Sequence, residues 1–288
     1  MLALVSLSSQ ALVLPANPHA ATGGAIRAAV TMSTASTIAP VEPGKVEVSA
    51  DADAVAAALL KRVDAAAEAA IAARGSFALA IPGGSVLKML AGSTPSWAEK
   101  TTLAYVNHKA VAMDDGELAT HAKAGKLFLD GWAGCNTIVM SGGPDADAEA
   151  VSYEKQLQEL SETALPRTAD GLPCFDMMLV GVGDDGHVGS LYPGRDEVLV
   201  TDKWVLPVTM KTPGSISLSL PVMAAAKEVI IAACGVSDKY PQGKSAAMRR
   251  AIEGDESLQT FPASGLREVA TWLIDEAAAS KLSPEYTA

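Results

Sequence analysis

Residues 174–194, Cys-Phe-Asp-Met-Met-Leu-Val-Gly-Val-Gly-Asp-Asp-Gly-His-Val-Gly-Ser-Leu-Tyr-Pro-Gly, decide how the rest of the chain is read. Phe175 to Val180 is a short, nearly continuous apolar run, the pattern of a strand buried on both faces of a parallel sheet. Gly181, Gly183 and Gly186 follow, and without a Cβ the backbone can turn sharply and approach a ligand closely. Asp184, Asp185 and His187 ride on that turn. In an open α/β sheet the ligand crevice lies at the carboxyl ends of the strands, so this is where proton transfer is expected.

The turn also spells Gly-x-Gly-x-x-Gly, the fingerprint of dinucleotide binding. That fingerprint needs a long helix opening at the third glycine, with a pyrophosphate on its N-terminus. Gly189, Pro193 and Gly194 come too soon to allow one. The nucleotide reading is set aside.

The run Gly-Val-Gly-Asp-Asp-Gly-His-Val-Gly-Ser-Leu-Tyr-Pro resembles the signature of the 6-phosphogluconolactonase family, roughly Gly-Met-Gly-x-Asp-Gly-His-Thr-Ala-Ser-Leu-Phe-Pro. Glucosamine-6-phosphate isomerases and deaminases are related to that family. Weaker echoes extend from about Val46 to the C-terminus. The resemblance implies a mostly parallel open α/β sheet with helices on both faces. It forms one domain, or a domain with a small lobe, over residues 46–288.

Alternating short apolar runs and amphipathic segments point the same way. Val46–Val48 reads as a strand, and Asp51 as the N-cap of an alanine-rich helix ending at Gly75. Phe77–Ile81 is the next strand, followed by Pro82-Gly83-Gly84-Ser85 before a helix. A glycine turn from strand into helix offers N–H groups to a phosphate, or is an ordinary tight turn; spacing leaves both open. The family has a similar Ser-Gly-Gly-Ser here, which implies phosphate binding by Gly83, Gly84 and Ser85.

Thr102–Val106 is read as a third strand ending in Asn107-His108-Lys109, and 136–140 as a fourth. Trp204–Val208, Ile216–Leu220 and Val229–Ala233 are further strands, and an amphipathic helix over 266–279 carries Trp272 into the core.

The family usually has Asp-Glu-Arg where this chain has Asn107-His108-Lys109, the arginine helping to hold phosphate. Lys109 keeps a charge but not the bidentate fork. A second family arginine is replaced by Ser215, after Lys211-Thr212-Pro213-Gly214. The family's Gly-x-x-Lys segment implies Lys244 as a phosphate-binding lysine, with Lys239 as the alternative.

Composition narrows the partners. A net charge of −11 and a pI near 4.8 argue against nucleic acid or an anionic membrane surface. No apolar stretch approaches a membrane span. Cys135, Cys174 and Cys234 are odd in number, lack zinc spacing and read as reduced structural thiols. No metal or organic cofactor is expected, and the protein is expected to be a monomer or homodimer. Residues 1–45 open apolar, continue rich in Ala, Ser and Thr, and hold no acidic residue before Glu42. They read as a targeting leader to a plastid, or as a disordered extension of a cytoplasmic protein.

What the resemblance implies chemically is water-driven opening of 6-phosphogluconolactone in the pentose phosphate route. His187 would be general base, Asp185 would orient it, and Gly183 and Gly186 would lend backbone N–H groups. Two other readings stay open: a sugar-phosphate isomerase or deaminase, and a sugar-phosphate-binding homologue without activity.

Overall fold

The computed structural model describes residues 38–236 and 243–287. Among them a seven-stranded parallel sheet runs in the order β1 (Val46–Ser49), β10 (Ala270–Asp275), β9 (Glu228–Ala233), β6 (Met177–Val180), β2 (Phe77–Ile81), β3 (Thr101–Tyr105), β5 (Asn136–Thr137). Every residue of β2, β3 and β6 is buried, as the unbroken apolar sequences of β2 and β6 require; β3 buries Thr101 and Thr102 as well. The expected central strand is therefore β6, held between β9 and β2. Asp176 anchors its start: it pairs with Arg74 and with Lys227 at 2.8 Å, and accepts the Ala78 N–H at 2.8 Å.

The strand order places the site. The chain climbs from β2 to β3 and β5, then returns through α4 (Ala146–Glu159) to β6 on the other side of β2. Right-handed crossovers taken in opposite directions put their helices on opposite faces of the sheet. Progression reverses between β2 and β6, and a crevice opens at the carboxyl ends of two such neighbours. The loops that follow these two strands begin at Pro82 and Gly181, so the two motifs distant in sequence share one edge.

The helix between β1 and β2, α1 (Ala52–Arg74), starts and stops as its sequence predicts. Asp51 accepts the Ala54 N–H at 2.8 Å, and Gly75 ends the helix at φ +82°.

One expectation is corrected. Residues 266–279 do not form one helix: Ala270–Asp275 is β10, and only Glu276–Ala279 (α7) is α-helical. Trp272, Leu273 and Ile274 are buried on both faces between β1 and β9, a position open only to a sheet interior. The alanines that follow had suggested the helix. Trp272 is in the core, as expected.

Three further strands are Asn107–Lys109 (β4), Val205–Val208 (β7) and Ser215–Leu218 (β8). They do not extend the parallel sheet but form their own antiparallel one, in the order β4-β8-β7. The short link through Lys211 and Pro213 allows only an antiparallel return.

Of the expected leader, residues 1–37 lie outside the described residues, as does Lys239. Residues 38–45 pack on the domain. The Ile38 and Val41 N–H groups donate to Glu256 and Ile252 carbonyls, and Val41 is buried.

Candidate active site

The loop after β6 folds back on itself. Gly183 N–H donates to the His187 carbonyl at 2.9 Å, Gly186 N–H donates to the Gly183 carbonyl at 3.0 Å, and Val182 bridges Val188. Two glycines are demanded by space. A Cβ on Gly183 would lie 2.0 Å from His187 Nδ1. Gly186 has φ +85°, and a Cβ there would sit 2.3 Å from the Phe261 ring. The Ala263 N–H donates to the Gly186 carbonyl at 2.9 Å and pins the turn from outside.

This backbone brings His187 onto Asp185. Nδ1 meets Oδ1 at 2.6 Å, and the same oxygen accepts the His187 N–H at 3.1 Å. A carboxylate only accepts, so the shared proton sits on Nδ1 and Nε2 is the basic nitrogen. Partial burial alone would raise the Asp185 carboxyl, but the bonds from His187 outweigh it and hold it below the ordinary range. The imidazole stacks on Tyr192 at 4.7 Å between centroids, and Lys211 Nζ lies 4.1 Å from the Tyr192 ring centre. Asp184 is exposed beside this pair.

Lys244 reaches the loop from the segment after β9. It is buried, and its Nζ donates to the Val182 carbonyl at 2.5 Å, one residue before Gly183. The ammonium thus stands at the base of the His187 turn.

The turn after β2 lies across the crevice. Gly84 has φ +86°, and Gly84 and Ser85 are exposed. The Gly83 N–H faces inward and donates to Asn107 Oδ1 at 3.3 Å. Gly83 therefore shapes the turn, while Gly84 and Ser85 are open to a ligand.

The small sheet supplies the remaining wall. Along β4, Asn107 and Lys109 are half-buried and His108 is buried, so the first two share one face. Asn107 pairs Ser217 and Lys109 pairs Ser215 across to β8. The two sites where family arginines are replaced, Lys109 and Ser215, are thus direct cross-strand partners: one local change, not two.

His108 turns the other way. Its Nδ1 donates to the Lys109 carbonyl at 2.7 Å, and its Nε2 accepts the His121 N–H at 3.1 Å in α3 (Thr120–Leu127). Burial lowers its pKa, against a partial rise from the Lys109 bond. It is a neutral side chain bracing the start of α3.

Of the sequence-predicted residues, Asp185, His187, Gly183, Gly186 and Lys244 come together in one loop cluster, and Gly83, Gly84 and Ser85 in the neighbouring turn. Lys109 lines the adjoining wall. Sequence reasoning missed Asn107, Ser190, Tyr192 and Lys211 as site-forming residues. Tyr192 lay inside the motif and was visible. Ser190 lay inside it too, but its bond to Asn107 did not show, and Asn107 itself depends on a register between β4 and β8 that no motif signals. Lys211 is placed only by its contact with the Tyr192 ring.

A basic imidazole nitrogen backed by a carboxylate can take a proton from water and return it to a leaving oxygen.

Known proteins resemble this chain over most of its length. A family model described as glucosamine-6-phosphate isomerases/6-phosphogluconolactonase matches residues 50–274. A human 6-phosphogluconolactonase is 30% identical over 258 residues, spanning 84% of this chain and 95% of its own length. An Arabidopsis thaliana protein named 6-phosphogluconolactonase 3, chloroplastic, is 29% identical over 73% of this chain and 66% of its own. The crystal structure of 6-phosphogluconolactonase from Leishmania guyanensis superposes with a TM-score of 0.68 at 22% identity, covering 85% of this chain and 99% of that one.

Proposed function

The chain belongs to the glucosamine-6-phosphate isomerase/6-phosphogluconolactonase family, and on that premise we propose that it hydrolyses 6-phospho-D-glucono-1,5-lactone to 6-phosphogluconate. It is a carboxylic-ester hydrolase acting on a sugar phosphate of the oxidative pentose phosphate route. The observation that carries the mechanism is the 2.6 Å contact between His187 Nδ1 and Asp185.

His187 Nε2 takes a proton from water as the oxygen attacks the lactone carbonyl. Asp185 stabilises the imidazolium without accepting the proton. The tetrahedral intermediate collapses, the bond from the carbonyl carbon to the ring oxygen breaks, and the imidazolium returns its proton to that oxygen. The phosphate is assigned to Gly84 and Ser85, with Gly83 setting the turn and Lys109 and Lys244 supplying positive charge. A dianion on an acidic protein needs such local cations.

The experiment offers the purified protein freshly made 6-phosphogluconolactone, and separately glucosamine 6-phosphate. Rapid release of 6-phosphogluconate from the first, above the spontaneous rate, is expected. Turnover of the second alone would move the protein to the isomerase and deaminase branch.

We also assign residues 1 to roughly 40 a plastid-targeting role. Support comes from their lack of acidic residues and from the chloroplastic relative. A fluorescent protein carrying residues 1–45 should enter the plastid of an algal cell; diffuse cytosolic signal would refute this.

A further inference from the structure

Asn107 stands where the family carries an aspartate, and by sequence it reads only as a lost carboxylate. In the fold it touches both halves of the crevice. Its Oδ1 accepts the Gly83 N–H at 3.3 Å, and its Nδ2 donates to Ser190 Oγ at 3.2 Å. Ser190 follows directly on the His-Val-Gly of the loop after β6, is buried, and donates its own N–H to Ser217 Oγ at 3.1 Å. Ser217 passes the chain on to the Leu218 carbonyl at 3.0 Å.

The order of donors fixes the amide. Gly83 can only donate, so the oxygen of Asn107 faces it and the NH₂ faces Ser190. One side chain thus spans the turn assigned to phosphate and the loop that holds the base.

We propose that Asn107 is a positioning residue that sets the spacing between the phosphate turn and His187. The proposal rests on the lactonase reading above. A substrate held by its phosphate presents its carbonyl at a distance the protein must match, and a misplacement of about 1 Å can cost about 10²-fold in rate. The amide does this without placing a negative charge beside the phosphate, on a wall where Lys109 and Ser215 leave less positive charge than two arginines would.

The test compares wild type with Asn107→Ala, Asn107→Asp and Ser190→Ala. Each is scored for kcat and KM on 6-phosphogluconolactone, inhibition by 6-phosphogluconate, and exchange of the Gly83 amide proton followed by NMR. Asn107→Ala should lower kcat by about 10–100-fold while the inhibition constant of 6-phosphogluconate moves less than about threefold, because alignment is lost and not the phosphate contact. Asn107→Asp keeps the acceptor for Gly83, and Ser190 can turn its hydroxyl to donate. It should recover kcat to within about threefold of wild type, with KM raised by the added charge. Ser190→Ala should fall between the two, and it decides the matter with Asn107→Asp if the alanine variant does not fold.

An unchanged kcat in Asn107→Ala, or an equal loss in the alanine and aspartate variants, overturns the role. If wild type opens no lactone, the functional reading fails by itself. The strap is then judged by exchange: Gly83 should exchange at least about tenfold faster in Asn107→Ala and return toward wild type in Asn107→Asp, and unchanged exchange contradicts it.

Discussion

Two walls of the same crevice are built on different terms. The loop from Val182 to Gly194 leaves almost no freedom. Gly183 has no room for a Cβ beside His187, and Gly186, at φ +85°, none beside Phe261. The facing edge of β4 and β8 is looser in what it requires. Asn107 and Lys109 are half-buried, Ser215 is half-buried opposite Lys109, and the contacts there run through side chains that several residue types can imitate. The first wall keeps every glycine of the family signature together with Asp185, His187, Ser190, Leu191 and Pro193. The second has changed at Asn107, His108, Lys109 and Ser215. Backbone geometry resists substitution, whereas a side-chain wall can exchange one set of polar partners for another and still stand.

The difference breaks most sharply at Gly183. Gly183→Ala would put a methyl 2.0 Å from His187 Nδ1 and 2.7 Å from Asp185 Oδ1, so the ring must leave its place. The expected result is a loss of kcat of about 10²–10³-fold on 6-phosphogluconolactone, close to removing the base, with the far-ultraviolet circular dichroism unchanged. A variant retaining more than about a third of the activity would show that the loop tolerates what its packing forbids.

The opposite wall is probed by His108. Tyr105, His121, Lys123 and Glu149 surround it, and burial holds its pKa below the ordinary value. As pH falls, the unfolded chain therefore binds this proton first. The stability contributed by the neutral ring is fully present above about pH 6.5 and is lost as pH falls from there through the folded pKa. His108→Gln should flatten thermal stability against pH below about 6.5, by at most about 1.4 kcal/mol per pH unit. His121, whose pKa is also lowered by burial, should leave a residual slope. Identical slopes in both proteins would mean that His108 titrates as it does in water.

The smallest effect is expected at Lys109. Restoring the family residue with Lys109→Arg adds a planar fork to a site already holding a cation, and should lower KM by about threefold with kcat unchanged. A raised KM would show that the wall has diverged around lysine and is not a weakened copy of the arginine version.

Much of this molecule was legible before its structure. The interior position of residues 175–180, the capping of α1 by Asp51 and Gly75, and the strand before the Gly83–Ser85 turn all follow from apolar runs and turn residues. The same signals misled at 266–279, because the alanines after Asp275 carry a helical pattern that ran into a strand buried on both sides. Within the site, Asp185 and His187 could be paired because they are two residues apart on one turn. The link from Asn107 to Gly83 and Ser190 could not be seen. It depends on β3 leaving the parallel sheet at Tyr105 and on the register of β4 with β8, which are long-range facts without a local pattern.

The central claim is that the 187 ring does the proton transfer. Its most direct test is kcat/KM of His187→Ala on freshly made 6-phosphogluconolactone, corrected for spontaneous opening, beside wild type of equal circular dichroism and melting temperature. The account predicts a fall of about 10²–10⁴-fold. Turnover undiminished in a correctly folded His187→Ala protein would contradict it and move the chemistry to another residue of the crevice.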